Sequence, residues 1–128
     1  MDPRVLKTKI AYETIADIFR EERENVRFPD EAISKFVDIC MAKHLGDNRI
    51  VDLGSGTGTC IDHLLPAGIT CIDAVEISDT FVQLLQNKYV EHPGIRVIHD
   101  DMIDYLRKQP DESIGAFVAT FSIVHIPE

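Results

Sequence analysis

The residues best suited to chemistry lie in three short stretches: Asp52-Leu53-Gly54-Ser55-Gly56-Thr57-Gly58, a lone Glu76, and Asp101-Met102. Glycines have no Cβ, so they accept positive φ and let a ligand approach the backbone closely. Where such a loop enters a helix, the first N–H groups favour a carboxylate or a phosphate. Glu76 follows Gly54 by 22 residues and can accept hydrogen bonds from both hydroxyls of a ribose. Asp101 can accept a hydrogen bond from an adenine amino group, and Met102 offers a backbone N–H and an apolar wall. Each has an ordinary alternative: a structural turn for the glycines, a solvated charge for Glu76, and a helix N-cap for Asp101. The loop reads G-x-G-x-G, with Thr59 where a dinucleotide fingerprint needs its third glycine. That spacing speaks against a nicotinamide-dependent dehydrogenase.

The surrounding pattern supplies the elements that must carry these residues. Residues 8–23 place Ile10, Ile15, Ile18 and Phe19 at helical spacing. A second helical stretch, 30–45, has an apolar stripe of Ile33, Phe36, Val37, Cys40 and Met41 and ends at Gly46-Asp47-Asn48. From Arg49 the pattern changes to short apolar runs at 49–53, 69–77, 95–99 and 114–124, each reading as a strand. Between them lie helices at 59–65, 79–90 and near 102–109. Ser78 is the expected N-cap of the second of these, with Phe81, Leu84, Leu85 and Tyr89 inward. Strands alternating with helices, each strand a nearly continuous apolar run, predict a parallel sheet covered on both faces. Right-handed crossovers make it α/β, doubly wound and Rossmann-like, preceded by two helices. Ligands of such sheets bind outside the carboxyl ends of the strands, so 52–58, Glu76, 100–102 and 120–125 are expected on one rim.

The composition narrows the partners. The 128 residues suit a single domain. The formal net charge is −9, from 13 Lys+Arg and 22 Asp+Glu. Residues 1–47 carry 8 positive and 10 negative side chains; residues 48–128 carry 5 and 12. Binding to phosphate backbones uses many Lys and Arg, so no nucleic acid and no membrane partner is expected, and a cationic small ligand is. Three dispersed cysteines, Cys40, Cys60 and Cys71, give neither a disulfide framework nor a zinc pair. No metal site is expected, and the reading is of a reducing, cytoplasmic setting.

RIVDLGSGTG, then AVEIS, VIHDDMIDYL and IGAFVATFSIVHIPE, resemble the class I S-adenosylmethionine-dependent methyltransferases, and are similar to their small-molecule branch. The resemblance covers about residues 48–128. It implies S-adenosylmethionine as cofactor and a sheet of strand order 3-2-1-4, a truncated form in which the family's strands five to seven are absent. It implies that Gly54, Gly56 and Gly58, with Ser55 between, contact the methionyl part and the nucleoside. Asp52 then helps hold the loop and the ligand's amino group. Glu76, with Ile77 beside it, corresponds to the ribose clamp, and Asp101 and Met102 to the adenine edge. Thr120 and Phe121 match the wall near the sulfonium. Where the family usually has Asp early in strand four, this chain has Gly115 or Ala116. In this reading residues 1–128 form one incomplete methyltransferase domain, with 1–47 a helical segment and 48–128 the cofactor-binding core.

The implied reaction is methyl transfer to a small-molecule acceptor, an in-line displacement in which near-attack positioning carries most of the catalysis. A general base is needed only for an acceptor that must lose a proton. His125 is the one candidate base, although a helix-start or surface role fits it better. His63 reads as packing or surface, and His99 as a partner of Asp100. Cys60 and Cys71 read as core, and Tyr12 and Arg27-Phe28 as helix packing or part of a lid. Because the chain stops at Glu128, the apolar run of strand four is expected at an exposed edge, open to homo-oligomer formation. A non-catalytic S-adenosylmethionine-binding or dimerisation module is the competing reading, since the chain alone lacks the segments that would form an acceptor pocket.

Overall fold

A computed structural model describes residues 2–7, 9–10, 30–43 and 49–119. Residues 3–7 and 9–10 are helical, so helical structure begins before the expected position 8. Ile15, Ile18, Phe19 and Tyr12 of the expected first helix, and Arg27-Phe28 after it, lie outside the described residues.

The ordered elements are α1 (Asp30–Ala42), β1 (Arg49–Leu53), α2 (Thr59–Leu64) with a 3-10 turn (Leu65–Ala67), β2 (Ile72–Glu76), α3 (Asp79–Lys88), β3 (Ile95–His99), α4 (Met102–Lys108) and β4 (Ile114–Val118). The four strands form one parallel sheet in the order β3-β2-β1-β4. Alternation along the strands sends side chains to opposite faces. Ile50, Ile72 and Ala74 pack with Ile33 and Cys40 of α1, Cys60, Ile61 and Leu64 of α2, and Leu85 and Tyr89. Val51, Leu53 and Val75 pack on the other face with Tyr105 of α4. Both faces are therefore covered, which is why the strands read as apolar runs. Met41, expected in the α1 stripe, is 56% exposed; Ile33 and Cys40 hold that helix to the sheet.

β2 is shorter than the apolar run 69–77 for two local reasons. Ile69 N–H donates to the Leu64 carbonyl and Gly68 N–H to the Leu65 carbonyl, with Gly68 at φ 91°, a Schellman closure of the preceding helix. At the other end the Ile77 and Ser78 N–H groups turn onto the Glu76 side chain and leave the ladder. β4 pairs with β1 as Arg49–Ile114 and then Ile50–Ala116, so Gly115 is the extra residue of a bulge. β4 is described as far as Val118 within the expected 114–124. Among the described residues no helix is long and apolar enough to cross a membrane.

Candidate functional site

The register aligns the carboxyl ends of β1, β2 and β3. Leu53 pairs with Val75, and Glu76 with His99. The loop after β1 is fastened to β2 at once: Gly54 and Ser55 N–H both donate to the Val75 carbonyl, at 2.8 and 3.0 Å. Asp100 N–H donates to the Glu76 carbonyl at 3.1 Å. The glycine loop, Glu76 and the Asp100-Asp101 turn thus stand side by side on one rim, as the topology predicted.

Glu76 is no solvated charge. It is 7% exposed, and three main-chain donors converge on its carboxylate. Gly56 N–H reaches Oε1 at 2.8 Å, and Ile77 and Ser78 N–H reach Oε2 at 2.8 Å each. One side chain therefore ties the middle of the glycine loop to the turn after β2. Ser78 itself caps α3, its hydroxyl accepting from Phe81 N–H at 3.3 Å. Gly56 has φ 56°, a conformation that disfavours other residues, and a Cβ there would meet nothing within 4 Å. The loop faces open space at that point.

Asp52 lies on the same sheet face as Glu76, by the alternation of β1 and β2, and is fully buried. Neither carboxylate oxygen has a hydrogen-bond partner. The Ser55 hydroxyl beside it donates to the Asp52 main-chain carbonyl at 3.1 Å. Burial pushes the Asp52 carboxyl up to about 7; the nearness of Ser55 opposes the rise and the Glu76 charge adds to it. A buried carboxylate without a partner carries a large desolvation cost and calls for a cationic group. That chemistry fits the ammonium end of S-adenosylmethionine.

Asp101 is the N-cap of α4: its Oδ1 accepts from Ile103 N–H at 2.9 Å and Asp104 N–H at 3.0 Å. The ordinary reading is thus realised, and it is compatible with a ligand contact through the other oxygen. Met102 begins α4 and packs partly against the face beneath. Thr120, Phe121 and His125 lie outside the described residues. His99 does not pair with Asp100 as expected. Its Nε2 lies 2.8 Å from Asp79 Oδ1 and 3.1 Å from the Ile77 carbonyl, because the side chain leans across to the start of α3. Asp100 is taken by Asp101 N–H and Lys108. His63 bonds the Thr59 carbonyl within α2 at 2.8 Å, and Cys60 is core at 2% exposed. Cys71, expected in the core, is half-buried at the strand entry.

Sequence reasoning missed a second polar centre. Asp73 points to the opposite face, fully buried, with Arg96 donating to both oxygens at 2.7 Å, Arg49 at 3.0 Å and Tyr105 at 2.6 Å. Burial alone pushes its carboxyl up, but these donors together hold it below the usual carboxylate range. The signal available was an acid in the middle of an apolar strand, which must find partners.

A family profile described as a methyltransferase domain matches residues 50–128. The chain belongs to that family. It is a class I S-adenosylmethionine-dependent methyltransferase domain, with S-adenosylmethionine as its cofactor. Among curated proteins, the domain is 30% identical over 80 residues to ribosomal RNA small subunit methyltransferase A of Synechococcus sp. (strain CC9605), covering 62% of this chain and 28% of that protein. It is equally similar to the protein of that name from Dehalococcoides mccartyi (strain CBDB1), covering 26% of it. The chain thus spans about a quarter of the length of the curated relatives it matches. Among solved structures, a putative methyltransferase, yhhF, from Escherichia coli shares the fold at a TM-score of 0.51 and 15% identity, over 64% of this chain and 46% of that one.

These relatives correct one expectation of the sequence. A small-molecule acceptor and no nucleic-acid partner were expected, whereas the curated relatives are named for ribosomal RNA. The physical error was to let a whole-chain charge of −9 exclude a phosphate backbone. Contact with RNA needs a local basic surface, and net charge averages that away.

Proposed function

We propose that this methyltransferase domain holds S-adenosylmethionine at the carboxyl rim of β1, β2 and β3 and transfers its methyl group to RNA. When bound, the donor supplies an activated methyl group on a sulfonium. In this proposal residues 48–128 are assigned to the donor-binding core and 1–47 to the segment before it. In this reading Asp52 faces the donor's ammonium, and Gly54, Ser55, Gly56 and Gly58 lie along its methionyl part. Glu76 and Ile77 hold the ribose, Asp101 and Met102 hold the adenine edge, and Thr120 and Phe121 form the wall by the reacting carbon.

The observation that carries the proposal is the Glu76 carboxylate joining Gly56 to the turn after β2, beside an unpartnered buried Asp52. An anionic rim of that kind suits a ligand with two positive centres and one carboxylate. Positioning accounts for most of the chemistry, since in-line displacement from a sulfonium needs alignment above all. The RNA acceptor is drawn from the names of the relatives. The test is incubation with methyl-labelled S-adenosylmethionine and small-subunit ribosomal RNA. Label in the RNA, lost in Glu76→Ala, supports the proposal; no label in RNA from a chain that binds the donor contradicts the acceptor.

A further inference from the structure

The side of the glycine loop that faces α3 is tied down by three side chains with no part in the donor contacts above. Tyr89, 5% exposed just after α3, has its hydroxyl 2.9 Å from the Gly58 carbonyl and 2.7 Å from Asp62 Oδ1. Lys88 Nζ donates to the Thr57 carbonyl at 2.8 Å and to Asp62 Oδ2 at 2.5 Å. The same ammonium lies 5.6 Å from the Tyr89 ring centre. Asp62 belongs to α2, the helix that the loop enters, so it links both donors to the element next in the chain. The single Tyr89 proton is shared between two acceptors, while Lys88 has protons for both of its own.

The geometry fixes peptide orientation. A trans peptide is planar, so its N–H points opposite to its carbonyl. With the Thr57 carbonyl on Lys88, Gly58 N–H turns away onto the Ser55 carbonyl, at 2.9 Å, and closes the loop. With the Gly58 carbonyl shared between the Tyr89 hydroxyl and the Asp62 main-chain N–H, each at 2.9 Å, Thr59 N–H is turned away from α3, and Tyr89 adds a side-chain hold to the ordinary helix bond. Gly58 stands at φ 86°, and a Cβ there would lie 2.2 Å from Tyr89 Oη, so the contact requires glycine.

We propose that Lys88, Tyr89 and Asp62 are positioning residues for the methyl donor: they set the last two peptides of the glycine loop and so govern donor affinity without touching the donor. The inference rests on the loop being the donor site. It is tested by titrating S-adenosylhomocysteine into the full chain and into Tyr89→Phe, Lys88→Met and Tyr105→Phe. Tyr105 is the control: it is equally buried and also bonds an aspartate, but on the other face of the sheet. Tyr89→Phe should weaken binding about tenfold, and Lys88→Met severalfold, while Tyr105→Phe leaves affinity unchanged although it lowers the melting temperature. In nitrogen-15 spectra without ligand, the Gly58 and Thr59 amides should move in Tyr89→Phe and stay fixed in Tyr105→Phe. A parent that binds while Tyr89→Phe and Lys88→Met both bind as well as it does overturns the positioning role alone. Equal affinity losses in Tyr89→Phe and Tyr105→Phe also overturn it, by reducing it to general stability. A parent that does not bind overturns the donor-site reading on which it rests.

Discussion

Glu76→Gln is the most informative single change. The side chain keeps its shape, but one oxygen becomes an N–H₂ group. At present both oxygens face donors: Gly56 N–H on one, Ile77 and Ser78 N–H on the other, all at 2.8 Å. If the amide oxygen keeps the Ile77–Ser78 pair, the new amine points at Gly56 N–H, donor against donor. If it turns over, two donors are opposed in place of one, so the first arrangement wins. The loss is then one hydrogen bond to a charged acceptor, about 1.5–3 kcal/mol. For a domain of this size that corresponds to a fall in melting temperature of about 6–12 °C, followed by calorimetry or circular dichroism. The freed loop and the lost charge should also weaken S-adenosylhomocysteine binding about ten- to a hundredfold, followed by isothermal titration. A variant that melts with the parent would refute the three-donor geometry. One that melts lower but binds equally well would refute the role of Glu76 in the site.

The other predictions concern charge and backbone. Asp52 has its folded pKa raised to about 7 from an unfolded value near 3.8, so the folded state binds the extra proton between those values. Stability should therefore fall as pH rises from about 4 to 7, at most about 1.4 kcal/mol per pH unit, and level off above; Asp52→Asn should abolish that slope in melting experiments, be more stable than the parent at pH 8, and bind S-adenosylhomocysteine more weakly. Asp73 has its pKa lowered, so its contribution is present above the unfolded carboxylate range and is lost as pH falls through the lower folded value. Asp73→Asn should cost about 3 kcal/mol in urea unfolding and leave ligand affinity unchanged, because it lies on the opposite face. Gly58→Ala meets both a positive φ and the Tyr89 hydroxyl, and should destabilise by more than about 1 kcal/mol and impair ligand binding together.

The strand pattern was legible because β1 and β2 are buried on both faces, β3 and β4 are short apolar runs, and each turn is marked by glycine, proline or a capping residue; the sheet order followed from the family resemblance. β1 and β3 keep their expected bounds, and Ser78 caps α3 as its position before an apolar stripe implied. The ends of β2 were not legible. Schellman closure at Gly68 and the turn of Ile77 onto the Glu76 carboxylate are backbone events that an apolar run conceals. The three clusters of the site were found from residue type and strand-end position, since topology alone brings strand ends together. Their internal wiring was hidden. Nothing in a spacing says that Glu76 bonds the loop, that Asp52 has no partner, or that His99 leans to Asp79. Tyr89 shows how much could have been inferred: it continues the inward positions of Phe81 and Leu85, and a buried tyrosine hydroxyl has to find an acceptor. Which acceptor it takes depends on how α3 sits against the loop.

The central claim is that segments remote in the chain form one donor site on the rim of the sheet. Its most direct test is titration of the nitrogen-15-labelled chain with S-adenosylhomocysteine, followed by amide chemical shifts. The account predicts saturable changes concentrated at residues 52–58, 76–78 and 101–103, with the groove between α3 and β3, lined by Gln86, Val90, His92, Pro93 and Val97, unaffected. Absence of binding, or changes confined to that groove, would contradict it.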